Sequence, residues 1–215
     1  MKVTGVRTSV YEYWMSRKMG DANSPSGRDL SSNCVVEITT DQGITGIAIG
    51  GGGARPQIQS LVEGIITGED PRQVTGLWQR MRDRAFKGGQ SGIISDAISV
   101  IDVALWDIKA KYNEEPLWKT LGGSNPYVNA YASGMDMPTS NENLREWYAT
   151  MANDWGFKAG KLKVGIDQSQ DLERIGLMKS GLEKSTKSPQ LYIDANEYWS
   201  PKKAIRKVKE MEEMY

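Results

Sequence analysis

Alternating apolar and polar positions open the chain. Residues 2–12 and 34–49 carry the period-two pattern of β structure. Val35-Val36-Glu37-Ile38-Thr39-Thr40 and Ile44-Thr45-Gly46-Ile47-Ala48-Ile49 flank Asp41-Gln42-Gly43, which predicts a hairpin. Between the first strand and this hairpin runs a polar stretch, Met15 to Asn33, with Gly20, Ser24, Pro25, Ser26 and Gly27. Its composition predicts a long loop, either a functional lid or disordered. Gly50-Gly51-Gly52-Gly53 has the look of a phosphate cradle but lacks the Lys-Ser/Thr of a P-loop, so a flexible loop is the better reading.

Three helical patterns follow. Pro56 opens the first, with Ile58, Leu61, Val62 and Ile65 on one face. Asp70-Pro71 reads as an N-cap followed by an N1 proline, ahead of Val74, Leu77, Trp78 and Met81. The third is the broadest: Ile94, Ala97, Ile98, Ile101, Ala104, Leu105 and Ile108. Asp102 and Asp107 interrupt it and are expected to serve as structural partners. Leu121-Gly122-Gly123-Ser124-Asn125-Pro126 then ends helical structure and marks a boundary, giving domains 1–123 and 124–215. Beyond it the grammar changes to strand–helix alternation. Strands are expected at 128–132, 159–164 and 191–195, and helices after Ser140, after the second strand and from Ser200-Pro201. Three βα units in series imply parallel strands with right-handed crossovers.

Composition narrows the chemistry. The 27 Lys+Arg balance 27 Asp+Glu, which argues against a basic nucleic-acid binder. No run approaches the length of a membrane span, and the N-terminus lacks the apolar core of a signal peptide, so a cytoplasmic protein is expected. The single cysteine, Cys34, beside Val35-Val36, reads as a buried thiol. The chain has no histidine, so any reaction within it runs on Lys, Asp, Glu, Tyr or backbone.

Lys161-Leu162-Lys163 is the most informative tripeptide. Residues i and i+2 of a strand face one side, so both ammonium groups project together while Leu162 and Val164 face the helices. Like charges held close disfavour each other's protonation, and a lysine depressed in this way becomes a usable general base. On the third strand, Tyr192, Asp194 and Asn196 share a side, with Asp194 at the C-terminal end, where parallel α/β folds build their sites. Base and metal ligand facing one cavity is the reading these residues suggest together.

Ile101-Asp102-Val103-Ala104-Leu105-Trp106-Asp107-Ile108-Lys109, Pro116-Leu117-Trp118, Leu121-Gly122-Gly123, Gly156-Phe157-Lys158-Ala159, Lys161-Leu162-Lys163-Val164-Gly165 and Asp194-Ala195-Asn196 follow one another in a familiar order. In these segments the sequence resembles the enolase superfamily, and within it the mandelate racemase/muconate lactonizing enzyme family, over essentially its whole length. The resemblance implies an α+β capping domain followed by a modified TIM barrel, here an incomplete (β/α) barrel of the first three βα units. It implies Mg²⁺ as cofactor, held by three carboxylates from successive strands, and removal of a proton α to a carboxylate by a Lys or His base. Carried over, Lys163 resembles the base and Lys161 its partner, lowering its pKa and meeting the substrate carboxylate. Asp194 resembles the first metal ligand, and Asn196 a residue supporting it. The segments 15–33 and 50–53 resemble capping loops that close over substrate.

The family pattern also exposes a departure. The other two metal carboxylates and any later acid/base group belong to strands that would follow residue 215. Glu210, Glu212 and Glu213 fall on the last expected helix and do not substitute. The chain is therefore expected to be part of a longer protein or a truncated product. The resulting reading is an acid-sugar dehydratase acting on a small-molecule carboxylate, homo-oligomeric when complete. Its alternatives are a racemase or epimerase of the same family and a non-catalytic fragment that needs a further polypeptide. The residues that select the substrate are not legible.

Overall fold

A computed structural model describes residues 1–212, so Glu213 lies outside the described residues. The chain divides into two compact units, one formed by Met1–Tyr13 with Ser31–Tyr127, the other by Trp14–Leu30 with the chain from Val128 onward.

The first unit holds most of a three-stranded sheet, ordered β1 (Val3–Met19), β2 (Arg28–Thr40), β3 (Thr45–Ile49), packed on helices; residues 14–19 of β1 and 28–30 of β2 belong to the second unit. The expected hairpin forms: β2 and β3 pair antiparallel from Val35↔Ile49 to Thr39↔Thr45, and Gly43 takes the left-handed turn position at φ 78°. Alternation is literal here, with Val36, Ile38 and Ala48 buried and Ile47 and Ile49 exposed. The buried face meets α1 (Arg55–Leu61), α2 (Val74–Ala85) and above all α3 (Ile93–Tyr112), whose Ala97, Ile101, Ala104, Leu105 and Ile108 are sealed from solvent. A short helix, α4 (Leu117–Thr120), follows. Cys34 is buried in this core, as expected of an inert thiol. Asp107 is structural: its Oδ2 accepts from Ile47 N–H at 2.8 Å and from Lys111 at 2.6 Å, tying α3 to the sheet.

Two expectations are corrected. Met15–Asn33 is not a long loop. The strands β1 and β2 extend to Met19 and from Arg28, leaving only residues 20–27 outside them. The composition misleads because the half-buried face of this ribbon carries Arg17, Asp29 and Ser31 beside Met15 and Met19, so no apolar alternation marks it, and ladder hydrogen bonds need none to form. In the intervening turn the Asp21 carboxylate accepts from the Asn23 and Ser24 amides. Nor does Asp70 cap a helix. Its carboxylate is engaged by the Arg72 amide and guanidinium at 2.6–3.1 Å, and α2 starts only after Gln73.

The Asp70–Arg72 pair carries a pH signature. The guanidinium holds the Asp70 carboxyl down, from an ordinary 3.8 to about 2. A depressed carboxyl stabilises the fold fully above its unfolded value and loses that contribution as pH falls from 3.8 towards 2. The stability gap between the wild type and Asp70→Asn in urea titrations is therefore expected to be constant near neutrality and to close across that interval. A gap that persists to pH 2 contradicts this account of the pair.

In the second unit β4 (Ala132–Ser133), α5 (Asn141–Trp155), β5 (Ala159–Lys163), α6 (Gln168–Leu182), β6 (Gln190–Asp194) and α7 (Pro201–Glu212) alternate. The strands form a parallel sheet in the order β4-β5-β6. Ser140 caps α5, its Oγ accepting from the Asn143 amide, and Asp167 caps α6. The first strand is shorter than the expected 128–132. Ala132 lies opposite Gly160, one residue inside β5, so residues 124–130 have no β5 backbone beside them, and Tyr127 and Val128 are 87% exposed. Leu144, Tyr148, Leu162, Val164, Ile175, Met178 and Leu182 make the core. Tyr148 is seated by two glycines: a Cβ on Gly160 would stand 2.8 Å from its ring, and one on Gly181 2.7 Å from its Cβ.

Candidate active site

The site lies within the second unit, at the C-terminal ends of its parallel strands. Strand parity does what the sequence suggested. Leu162 and Val164 are buried in the core, while Lys161 and Lys163 project from the other face of β5. The register sets Tyr192 opposite Lys161 and Asp194 opposite Lys163. Both ammonium groups converge on one oxygen: Asp194 Oδ2 lies 2.9 Å from Lys161 Nζ and 2.8 Å from Lys163 Nζ. Lys163 also donates to Asn196 Oδ1 at 2.6 Å, and the Asn196 amide donates to Asp194 Oδ1 at 3.0 Å. The Lys163 side chain is 6% exposed, that of Asp194 28%. All four candidates, Lys161, Lys163, Asp194 and Asn196, thus form one connected cluster.

At Lys161 the electrostatics differ from the expected depression. Hydrogen bonds from Lys163 and Lys161 hold the Asp194 carboxyl well below the usual carboxylate range, against a smaller opposing effect of burial. Its hydrogen bond with Lys161 pushes that ammonium above its ordinary value. At Lys161 the neighbouring anion outweighs the opposing effect of burial. Asn196 and Glu197 hold left-handed backbone, φ 45° and 58°, and this bend turns Asn196 back towards Lys163. The turn between β1 and β2 reaches the same place, Asn23 Nδ2 donating to Asn196 O at 2.6 Å.

Several residues at the site escaped the sequence reading. The Lys161 ammonium lies 5.7 Å from the Tyr131 ring centre, and Tyr131 packs on Tyr192 at 5.3 Å. Asp136, 1% exposed, accepts from the Lys163 amide, its Oδ2 lies 3.1 Å from Tyr148 Oη, and its main-chain oxygen accepts from Arg174 at 2.7 Å. Burial pushes the Asp136 carboxyl up, with the Lys163 amide and the Arg174 charge opposing. The one signal available in the sequence was position, an Asp just past the first strand of a parallel sheet.

Magnesium needs near-octahedral oxygen ligation. Among the described residues no group of three or more Asp, Glu, His or Cys side chains is placed to hold a metal ion. Asp194 offers one carboxylate, and the Asn196 side-chain oxygen is engaged by Lys163. The described residues therefore fit the role of one contributor to a Mg²⁺ site and do not make a complete one. No helix among them is long and apolar enough to cross a membrane.

Comparison with known proteins adds an independent line. Residues 23–122 match the family model of the mandelate racemase/muconate lactonizing enzyme N-terminal domain, and residues 143–215 match that of the enolase C-terminal domain-like family. The chain is 32% identical over 211 residues to a 3,6-anhydro-α-L-galactonate cycloisomerase of Streptomyces coelicolor, covering 94% of this chain and 56% of that protein. It is 30% identical over 190 residues to an arabinonate dehydratase of Saccharolobus solfataricus, covering 83% and 49%. In structure it is similar to a racemase from Streptomyces coelicolor A3(2) solved with bound magnesium, with a TM-score of 0.84 and 30% identity over 98% of this chain and 60% of the other. The chain thus spans about half the length of the curated relatives it matches.

Proposed function

The chain belongs to the mandelate racemase/muconate lactonizing enzyme family of the enolase superfamily, and from that premise we propose that its strand-end cluster abstracts the α-proton of an acid sugar. One observation carries the proposal: two lysines of one strand converge on a single strand-end carboxylate. On this reading Met1–Gly123 is the capping domain, and residues 124–215 supply the first three βα units of the barrel of a cytoplasmic, homo-oligomeric enzyme. The tip of the β1–β2 ribbon belongs to the loops over the substrate.

Lys163 in its neutral form takes the proton from the carbon next to the substrate carboxylate: the C–H bond breaks and an N–H bond forms. Lys161, the more exposed of the pair, meets the substrate carboxylate as an ammonium group. Asp194 would contribute one oxygen ligand to Mg²⁺, which when bound would stabilise the charge that develops on the substrate carboxylate. The electron pair left on the α-carbon then expels an oxygen from the β-carbon. If that oxygen is a hydroxyl, it takes a proton from a general acid that the complete enzyme must supply and leaves as water, and the enol becomes a 2-keto-3-deoxy acid. If it belongs to a ring, the same step opens the ring. One proton abstraction therefore serves both the dehydratase and cycloisomerase chemistries named among the relatives, and dehydration of an open-chain acid sugar is the preferred outcome.

The test is a panel of hexarates, hexonates and anhydro-hexonates incubated with the complete enzyme in D₂O and followed by ¹H NMR. At least one is expected to form a keto-deoxy product with deuterium incorporated from solvent. A panel with neither product nor α-deuterium contradicts the proposal.

A further inference from the structure

The backbone of β5 is held, at the lysine pair, by side chains that replace a missing strand residue. In a parallel ladder the main-chain groups of alternate residues point to opposite neighbours. Val164 N–H donates to Asp194 O, so even-numbered residues of this segment face β6. The odd-numbered groups, Lys161 C=O and Lys163 N–H, face β4. Ser133 lies opposite Lys161, and the residue that would serve both groups is the next one, Gly134. It does not serve them, because β4 ends at Ser133 and the chain swings away. Gly134 O accepts from Arg17, Met135 takes φ 48°, and Met135 O accepts from the Gly20 amide at 2.8 Å.

Two buried polar main-chain groups are thereby left on the strand that carries the lysines, and each needs a partner. Tyr148 Oη donates to Lys161 O at 2.8 Å, where the Gly134 N–H would have stood. Asp136 Oδ1 accepts from Lys163 N–H at 3.1 Å, where the Gly134 carbonyl would have stood. The two substitutes touch each other, Tyr148 Oη to Asp136 Oδ2 at 3.1 Å. Each is itself fixed: Tyr148 by the close approach of Gly160 and Gly181, Asp136 by Arg174, which binds its main-chain oxygen and also Thr139 O at 2.7 Å.

We infer that Asp136 and Tyr148 are positioning residues that act as a surrogate strand residue, holding Lys161 and Lys163 in the register from which both ammonium groups reach one point. The functional part of this inference rests on the reading of Lys163 as the base. A gap at a strand end would otherwise let the segment shift. A displacement of about 1 Å at reacting atoms can cost on the order of 100-fold in rate.

Three variants separate hydrogen-bond geometry from charge and from bulk packing. Tyr148→Phe removes one hydroxyl and keeps the ring. Asp136→Ala removes the acceptor. Asp136→Asn keeps an oxygen for the Lys163 amide and offers an N–H to Tyr148 Oη. In the complete enzyme, Tyr148→Phe and Asp136→Ala are expected to lower the α-proton exchange rate about 10- to 100-fold at unchanged KM, with Asp136→Asn within about threefold of wild type. A substrate-free measurement stands beside it: hydrogen exchange of the Lys163 amide by ¹⁵N NMR should quicken in Asp136→Ala and stay slow in Asp136→Asn. Wild-type rates in folded Tyr148→Phe and Asp136→Ala overturn the inference, as does an Asp136→Asn variant as impaired as Asp136→Ala, which would assign the role to charge. Should Asp136→Ala fail to fold, Tyr148→Phe and Asp136→Asn still decide. If no acid sugar exchanges with the wild-type enzyme, the base assignment fails, while the amide measurement still tests the surrogate residue.

Discussion

Asp194→Asn is expected to abolish turnover in the complete enzyme and to destabilise this chain by about 2 kcal/mol at neutral pH. Breaking a fully buried pair by removing one partner costs about 3–5 kcal/mol. The smaller figure allows for the 28% exposure of the Asp194 side chain, which lets water screen part of the lost interaction. What remains after the substitution is the problem: among the described residues Lys161 and Lys163 share no other anion, and Lys163 is too buried for water to replace one. Because Asp194 is held below the usual carboxylate range, its contribution is complete above an ordinary carboxyl value of 3.8 and lost as pH falls through its folded value. The stability difference between wild type and Asp194→Asn should therefore be largest at neutrality and vanish in strong acid. Thermal melts at pH 7 and in strong acid measure it. A pH-independent difference would mean that the carboxylate acts through packing, with little part in balancing the lysines.

The sequence was most legible where burial is one-sided. Period-two alternation in 34–49 is a direct imprint of a sheet with one face in the core, and in 161–164 the alternation of Lys with Leu and Val sets both lysines opposite the hydrophobic core, so the hairpin and the placement of Lys161 and Lys163 followed from parity alone. The ribbon at 15–33 carried no such imprint because its half-buried face is only partly apolar, with Arg17, Asp29 and Ser31 on it, and its polar residues read as a loop. The cap at Asp70 failed for a different reason. A neighbouring guanidinium, two residues on, competed for the carboxylate more effectively than helix amides could.

At the site, a different kind of information was missing. The pairing of Asp194 with both lysines depends on the register between β5 and β6, which no local pattern encodes, and it reversed the expected direction of the Lys161 shift. Asp136, Tyr148 and Arg174 meet across three elements, each looking locally like an ordinary loop acid, a core aromatic or a helix-face cation. The resemblance named the family and the candidate side chains, while the coordinates add how they are held.

The most direct test of the central claim is deuterium exchange at the α-carbon with Lys163→Ala in the complete enzyme. Lys163 projects from the strand-end face beside Asp194 and Asn196, and a general base of this kind contributes about 10²- to 10⁴-fold. Wild-type enzyme in D₂O with its acid sugar is followed by ¹H NMR against Lys163→Ala and Lys161→Ala. Lys163→Ala should retain the wild-type circular dichroism and lose α-deuterium incorporation by about 1,000-fold or more. Lys161→Ala should retain a measurable fraction at raised KM. Undiminished α-exchange in a folded Lys163→Ala variant would contradict the assignment of the base and, with it, this account of the site.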